Sequence, residues 1–398
     1  MKKNSLNQSL GAAKKAKQDE FYTQYVDIQK EVEAYLEFDP DTFRDKVVYC
    51  NCDDPFESNF FKYFAVKFNA LGLKRLISTS YDGSPLAGQG TLFPEYFEGN
   101  DKRKKPKALA VTLDHVKDED GDGATNIDDV QLFLKRNKAA RVPLNGGGDF
   151  RSAECVEFLK EADIVVTNPP FSLFREYVTQ LVEHGKKFLI IGNKNAITYK
   201  EIFPLIKADK LWMGATIHSG DREFRVPDHY PLKAAGWRID ENGVKYIRVK
   251  GVRWFTNLDH GRRHEKLPLM TMAENLKFSK HKAIKGKTEY ERYDNYDAIE
   301  VPFTDAIPSD YDGAMGVPIT FLDKYNPEQF EILGTLESSD PDNVGRTRWY
   351  SAQDQKGAYL RRFGKEGTIP LNMSGVIDDV KVFKRILIRH RNPAPKKG

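Results

Sequence analysis

Ile164-Val165-Val166-Thr167-Asn168-Pro169-Pro170-Phe171 is an apolar run that stops on a side-chain amide, two prolines and an aromatic ring. A short β-branched run without helical period predicts a buried strand. Asn-Pro initiates turns, and two consecutive prolines fix φ near about −65° and remove two backbone donors. A plain strand-ending turn would account for the prolines. The set of amide oxygen, proline carbonyl and ring offers more, because two rigidly held acceptors can each take one hydrogen of an amino group. A ring-conjugated amino nitrogen is a poor nucleophile, since its lone pair is delocalised. Held by two acceptors, it is drawn toward sp3 geometry with the lone pair aimed outward. The turn therefore predicts methyl transfer to an amino nitrogen, with Asn168, Pro169, Pro170 and Phe171 as the catalytic set and no general base of unusual pKa.

The flanks predict the fold. Ser172 to His184 has the pattern of an amphipathic helix closed by Gly185, and Lys187 to Gly192 that of another buried strand. Strand, short turn and helix in that order put the turn at the carboxyl edge of a parallel sheet, where α/β proteins bind ligands. Upstream, Lys46 to Cys52 and Arg75 to Thr79 are strand candidates around a helix from Ser58 to Leu71. Downstream come a helix from Tyr199 to Ala208, a strand near Leu211 to Thr216 and another at Val252 to Thr256. The predicted class is α/β, a seven-stranded Rossmann-like methyltransferase core over residues 46–260. An N-terminal segment, 1–45, precedes it, and a smaller mixed region, 261–398, follows.

Longer runs carry a resemblance. Asp19-Glu20-Phe21-Tyr22-Thr23-Gln24-Tyr25, Val47 to Pro55, Gly148-Asp149-Phe150-Arg151-Ser152, Arg253 to Asp259, Asp294 to Pro302 and Met315 to Pro327 resemble the EcoRI-type adenine-specific DNA methyltransferases. The likeness covers nearly the whole chain, and the long late runs make it specific. It implies S-adenosylmethionine as cofactor. Phe21, Tyr22 and Thr23 are similar to the motif that closes over the cofactor's methionine end, although a helix start capped by Asp19 is an equal reading. Asp53 and Asp54 stand where the first cofactor loop should lie and can engage the ammonium. No glycine-rich turn follows that strand, a departure from the usual pattern. Asp149 and Phe150 match the motif whose acid takes a hydrogen bond from the cofactor's adenine amino group, Asn168 closes the cofactor set, and whether Asp82 reaches the ribose is left open. The resemblance also implies double-stranded DNA as substrate and a flipped-out target adenine stacked on Phe171. It further implies action as a monomer and protection of host or phage DNA from a cognate restriction endonuclease, a genetic rather than physical partner.

Composition bounds the rest. At 398 residues the chain can form more than one domain. The net charge of only +4 requires that contact with DNA come from local basic clusters. Lys14, Lys15 and Lys17, the stretch from Arg262 to Lys287, and the end from Lys381 to Lys397 are such clusters, with Trp237, Tyr246, Trp349, Tyr350 and Tyr359 near some of them. Three cysteines and no long apolar span predict a reduced bacterial cytoplasm and no membrane. Cys50 and Cys52 read as buried thiols rather than a zinc site. Asp118, Asp120, Asp122 and Asp129 fall at the first, third, fifth and twelfth positions of a calcium loop with Gly123 at the sixth, inside a charged insertion, 101–145. An acidic surface insertion is the competing reading. A calcium ion there would be structural.

The expected activity is N6-methylation of adenine in DNA at a specific sequence. The same turn also serves enzymes that methylate RNA bases or a protein glutamine, and a non-catalytic DNA-binding relic is a third reading.

Overall fold

The apolar runs before Asp259 assemble into one sheet in the computed structural model, which describes residues 23–52, 58–80, 108–123, 125–137, 140–218, 221–226, 236–337, 340 and 342–395. In chain order the elements are α1 (Tyr25–Phe38), β1 (Val47–Asn51), α2 (Asn59–Val66), α3 (Phe68–Leu71), β2 (Arg75–Thr79), β3 (Leu109–Leu113), α4 (Ile127–Arg136) and β4 (Arg141–Pro143). Then come α5 (Ala153–Glu161), β5 (Ile164–Thr167), α6 (Phe174–Glu183), β6 (Lys187–Asn193), α7 (Phe203–Lys207), β7 (Trp212–Met213), β8 (Asp221–Val226), β9 (Arg238–Ile239), β10 (Lys245–Lys250) and β11 (Val252–Thr256).

Eight strands pair in the order β4-β3-β2-β1-β5-β6-β11-β7. The chain steps from β1 outward to β2 on one side and returns to β5 on the other, both parallel to it. The reversal opens the crevice that such sheets use for ligands. β11 runs antiparallel to β6 with Trp254 opposite Ile191, the reversed insertion of a Rossmann-like methyltransferase sheet. The expected strand count of seven becomes eight because Arg141–Pro143 adds a short antiparallel edge on β3. Its Pro143 is tolerated there because an edge strand has a side that needs no donor.

The sheet strands are buried almost throughout, and one core joins Ile28 and Val32 of α1, Phe60 and Phe64 of α2, and Val48, Leu76, Val166, Leu189 and Trp254 of the sheet. Fully buried Glu31 ties α1 to the segment after β7, accepting from Ala215 N (2.7 Å), Thr216 N (2.8 Å) and the Tyr35 hydroxyl (3.1 Å) as well as the Thr216 hydroxyl. Phe224, Val226, Ile247 and Val249 add the inner face of a separate antiparallel sheet, β8-β10-β9, to this core.

The described chain divides into two units, one running to Ile202 and including Leu211–Gly261, the other made of Phe203–Lys210 and the residues from Arg262. The helix expected at Tyr199 to Ala208 is only the five-residue α7, and it belongs to the second unit. The remaining elements are α8 (Met272–Phe278), β12 (Ile299–Glu300), β13 (Met315–Pro318), β14 (Phe330–Thr335), α9 (Ala352–Phe363), β15 (Val376–Ile377), β16 (Val380–Lys381) and β17 (Arg385–His390). The order β12-β13-β17-β14 forms a four-stranded sheet. Within it Arg385 and Glu300 make a buried ion pair (Nε to Oε1 3.0 Å), and the Tyr293 hydroxyl donates to the same carboxylate. No helix among the described residues is long and apolar enough to cross a membrane.

Candidate active site

The carboxyl ends of the central strands change character together. At the carboxyl ends of β1, β2 and β5, Asn51, Ser78, Thr79, Ser80, Thr167 and Asn168 are all buried polar groups. Buried polar side chains require partners, and several of these find one another. The Tyr49 and Thr79 hydroxyls lie 2.9 Å apart, Thr79 Oγ1 donates to Asn51 Oδ1 at 3.1 Å, and the same oxygen takes the Cys52 N–H at 2.8 Å. Thr167 Oγ1 donates to the Asn51 carbonyl, which locks β5 to β1 at the crevice. Burial pushes the Tyr49 phenol well above its ordinary value, so it stays neutral. Cys52 takes φ +64°, a left-handed conformation that costs a non-glycine residue roughly 1–2 kcal/mol. The Asn51 side chain accepts its N–H at the end of β1.

Asn168 follows β5 directly and is 6% exposed. Pro169 and Pro170 are buried beside it, and a single 3-10 turn over Phe171–Leu173 starts with Leu173 N donating to the Pro170 carbonyl at 2.9 Å. Phe171 is half-buried against the main core. α6 begins at once, and its Phe174 packs over Gly192 of β6. A Cβ on Gly192 would come within 2.5 Å of the Phe174 ring and 2.9 Å of Phe255. Glycine is therefore the residue that lets α6, and the turn ahead of it, sit this close to the sheet.

Asp149 and Phe150 follow a glycine turn in which Gly147 and Gly148 both have positive φ. Asp149 is clasped by Arg151, Nε to Oδ1 at 2.8 Å and Nη2 to Oδ2 at 2.7 Å. The pairing with Asp149, helped by Glu176, raises the Arg151 guanidinium above its ordinary value. Oδ1 takes the Arg151 backbone N–H as well, at 2.9 Å, so the carboxylate is held within its own loop. Phe150 is buried edge-on to Tyr177 at 5.0 Å. A cleft of about 480 Å³ beside this loop is lined by Phe150, Arg151, Ser172, Arg175, Glu176 and residues further along α6. It flanks the helix and does not include Asn168 or Pro169.

Thr23 is buried, its carbonyl takes the Asn59 side-chain amide at 2.7 Å, and its hydroxyl has no partner among the described residues. Phe21, Tyr22, Asp53, Asp54 and Asp82 lie outside the described residues. Asp118, Asp120 and Asp129 each turn one carboxylate oxygen into a group no more than 4.8 Å across. Asp122 is not among the three, although its N–H donates to Asp120 at 3.1 Å. Asp129 is buried and accepts from the N–H groups of Asn126 (2.8 Å), Glu119 (2.7 Å) and Asp120 (3.3 Å), bonds that hold it below its ordinary value. Asp120 is raised: its bond from the Asp122 amide works the other way, but desolvation and the charges of Asp122 and Asp129 outweigh it.

Sequence reasoning assigned no role to Asn51, Thr79 or Gly192. The signal for the first two was present, since a polar residue that ends a buried run is unexpected on burial grounds alone. Gly192 had none, because what it makes room for lies on another element.

Residues 9–391 match the family described as adenine-specific methyltransferase EcoRI. The chain is 47% identical over 350 residues to Type II methyltransferase M.EcoRI of Escherichia coli, covering 86% of this chain and 94% of that one. It is 36% identical over 327 residues to Type II methyltransferase M.MpnI of Mycoplasma pneumoniae, covering 81% and 84%. A third relative, Type II methyltransferase M.MgeORF184P of Mycoplasma genitalium, is also 36% identical over 327 residues. No solved structure matches the chain.

Proposed function

The chain belongs to the EcoRI family of adenine-specific methyltransferases, and on that premise we propose which of its residues carry out the reaction. It is an S-adenosylmethionine-dependent DNA adenine methyltransferase of the restriction-modification type. The cofactor, when bound, supplies a methyl group activated by a sulfonium. The polar ends of β1, β2 and β5 support such a ligand, since buried Asn51, Thr79, Thr167 and Asn168 gather at the carboxyl edge where the strand order reverses. Asp53 or Asp54 would take the ammonium, Asp149 the adenine amino group, and Phe150 the apolar packing beside the adenine. Phe21, Tyr22 and Thr23 would close over the methionine end. The orphaned Thr23 hydroxyl supports a polar guest there.

Asn168 and the Pro169 carbonyl accept the two amino hydrogens of an adenine flipped from the duplex, which is otherwise unreachable. Pro170 holds the turn rigid, and half-buried Phe171 stacks on the base. The buried Asn168 at the tip of β5, fixed to β1 through Thr167, carries this assignment. Asn168→Ala should cut transfer from radiolabelled cofactor to duplex DNA by about 10²–10³-fold or more, with duplex binding and cofactor affinity retained. Transfer at the wild-type rate would defeat the assignment.

Residues 261–398 act as the DNA target-recognition region in this reading, and 46–260 as the catalytic core. The chain works as a monomer in the cytoplasm of a bacterial or phage-infected cell, alongside a cognate endonuclease. Asp118, Asp120, Asp122 and Asp129 take a calcium ion with a structural role, supported by the three converging carboxylates and the raised Asp120. Excess calcium should raise the melting temperature relative to EDTA in the wild type, and Asp118→Ala should abolish the difference. Equal melting temperatures in the wild type would remove calcium from the account.

A further inference from the structure

α9 packs by one narrow face, where Ala358 and Tyr359 meet Tyr350, Ile369, Leu371 and Val376 and Gln355 accepts from Leu371 N at 3.2 Å. Ser351 and Asp354 form a reciprocal cap at one end, and Gly364, at φ +64°, closes the other. Yet Ala358 alone is buried among its twelve residues. Gln353, Lys356, Leu360 and Phe363 follow the i, i+3, i+7, i+10 spacing that forms one stripe on a helix, and all four are exposed, Leu360 at 54% and Phe363 at 50%. A helix in a folded domain normally buries its apolar stripe. This one turns Leu360 and Phe363 to solvent, with Gln353 and Lys356 ahead of them on the same stripe. Gly357 sits mid-helix beside the stripe, where glycine costs roughly 1 kcal/mol relative to alanine, and its missing side chain lowers the helix wall next to Lys356 and Leu360. Trp349 (58% exposed) and Phe383 (85% exposed) are large aromatic residues left open nearby in sequence.

Charge identifies the occupant. From Gly345 to Lys384 there are eight Lys or Arg against four Asp or Glu, a net +4 that equals the charge of the entire chain. Arg361 pairs with Asp379, and Arg348 lies 3.4 Å from Asp354. Lys356, Arg362 and Lys365 have no acidic partner among the described residues. The major groove of B-DNA is about 12 Å wide, accepts one α-helix, and is bordered by phosphates on both sides. We infer that α9 enters that groove and sets the target sequence, with Gln353, Lys356 and Leu360 facing base edges and Arg348, Arg362 and Lys365 facing phosphates. The inference rests on the reading of 261–398 as the recognition region. Gln offers the paired acceptor and donor that match an adenine edge, Lys donates to guanine O6 and N7, and Leu packs on a thymine methyl.

The test is to map methylated adenines in DNA from cells expressing the full chain or its Gln353→Ala, Lys356→Ala or Leu360→Ala variant, with cofactor and duplex affinities measured on the purified proteins. These side chains are exposed, so the variants should fold and bind cofactor normally. The expected result is methylation that spreads to sites differing at one or two positions, with discrimination there reduced about 5- to 150-fold. An unchanged target sequence in all three variants would overturn the inference, as would uniformly weaker binding with the target sequence kept. A wild-type chain that methylates no adenine in DNA would instead defeat the proposed function.

Discussion

Glu31 is a carboxylate with no accessible surface, facing two amide donors and the Tyr35 and Thr216 hydroxyls. Removing an acceptor costs more than making it contributes, because each abandoned buried donor carries roughly 1–3 kcal/mol of desolvation. Glu31→Leu should therefore destabilise the fold by on the order of 3–5 kcal/mol, read from urea denaturation, and a loss under 1 kcal/mol would sink this account. Burial pushes Glu31 above its ordinary value near 4.5, against the opposing pull of the Thr216, Ala215 and Tyr35 donors. A raised acid binds its proton more tightly in the folded state, so its contribution is full below about pH 4.5 and declines as pH rises through the folded value. The wild-type minus Glu31→Leu stability difference should fall over that window. A difference that grew with pH would show that the donors outweigh burial. None of this was legible in the sequence, where Glu31 is one acid among Asp27, Glu33 and Glu37. Its partners Ala215 and Thr216 lie more than 180 positions away. The turn at Asn168 was legible because the residues that shape it, Pro169 and Pro170, are its immediate neighbours.

Strands β2 and β11 were legible to the residue, Arg75–Thr79 and Val252–Thr256, because each centres on adjacent large apolar residues, Leu76-Ile77 and Trp254-Phe255. The β8-β10-β9 sheet went unread. Its inner residues Phe224, Val226, Ile247 and Val249 alternate with charges, a period-2 signal thinner than the runs around it. α9 went unread because its apolar residues, Ala358, Tyr359, Leu360 and Phe363, are few and set among charges and a glycine. The order of the strands, which creates the crevice, depends on pairing between distant segments and left no local mark. Element packing supplies its own prediction at Gly192. An added methyl there must displace Phe174 or Phe255, and overpacking typically costs about 1–3 kcal/mol. Because Phe174 opens α6 directly after the Asn168–Phe171 turn, Gly192→Ala should move the two acceptors off the amino group. We expect kcat to fall at least tenfold, with duplex affinity changed by less than threefold. Full activity with an unchanged melting temperature would mean that the turn does not depend on this contact.

Across the whole molecule, charge is distributed in a way that a linear scan misjudges. Six cations of the basic runs conspicuous in the sequence are paired in the fold: Arg263 with Asp209, Lys280 with Asp305, Lys287 with Glu291, Lys384 with Glu337, Arg385 with Glu300 and Arg389 with Glu331. Most of these acids are distant in sequence, so the pairing could not be read from the runs themselves. Since Gly345 to Lys384 carries a net charge equal to that of the chain, the remainder is neutral as a whole and has little long-range attraction for a polyanion. Duplex binding should then draw its salt dependence chiefly from this segment. Each phosphate neutralised contributes about 0.9 to the slope of log K against log salt. Replacing Arg348, Arg362 and Lys365 together by Ala should lower that slope by about 2 to 3 for cognate and non-cognate duplexes alike, leaving the ratio of the two affinities nearly unchanged. Removing base-reading side chains on the same helix should do the reverse. A slope that survived the triple replacement would place the phosphate contacts elsewhere, and α9 would lose its claim to the groove.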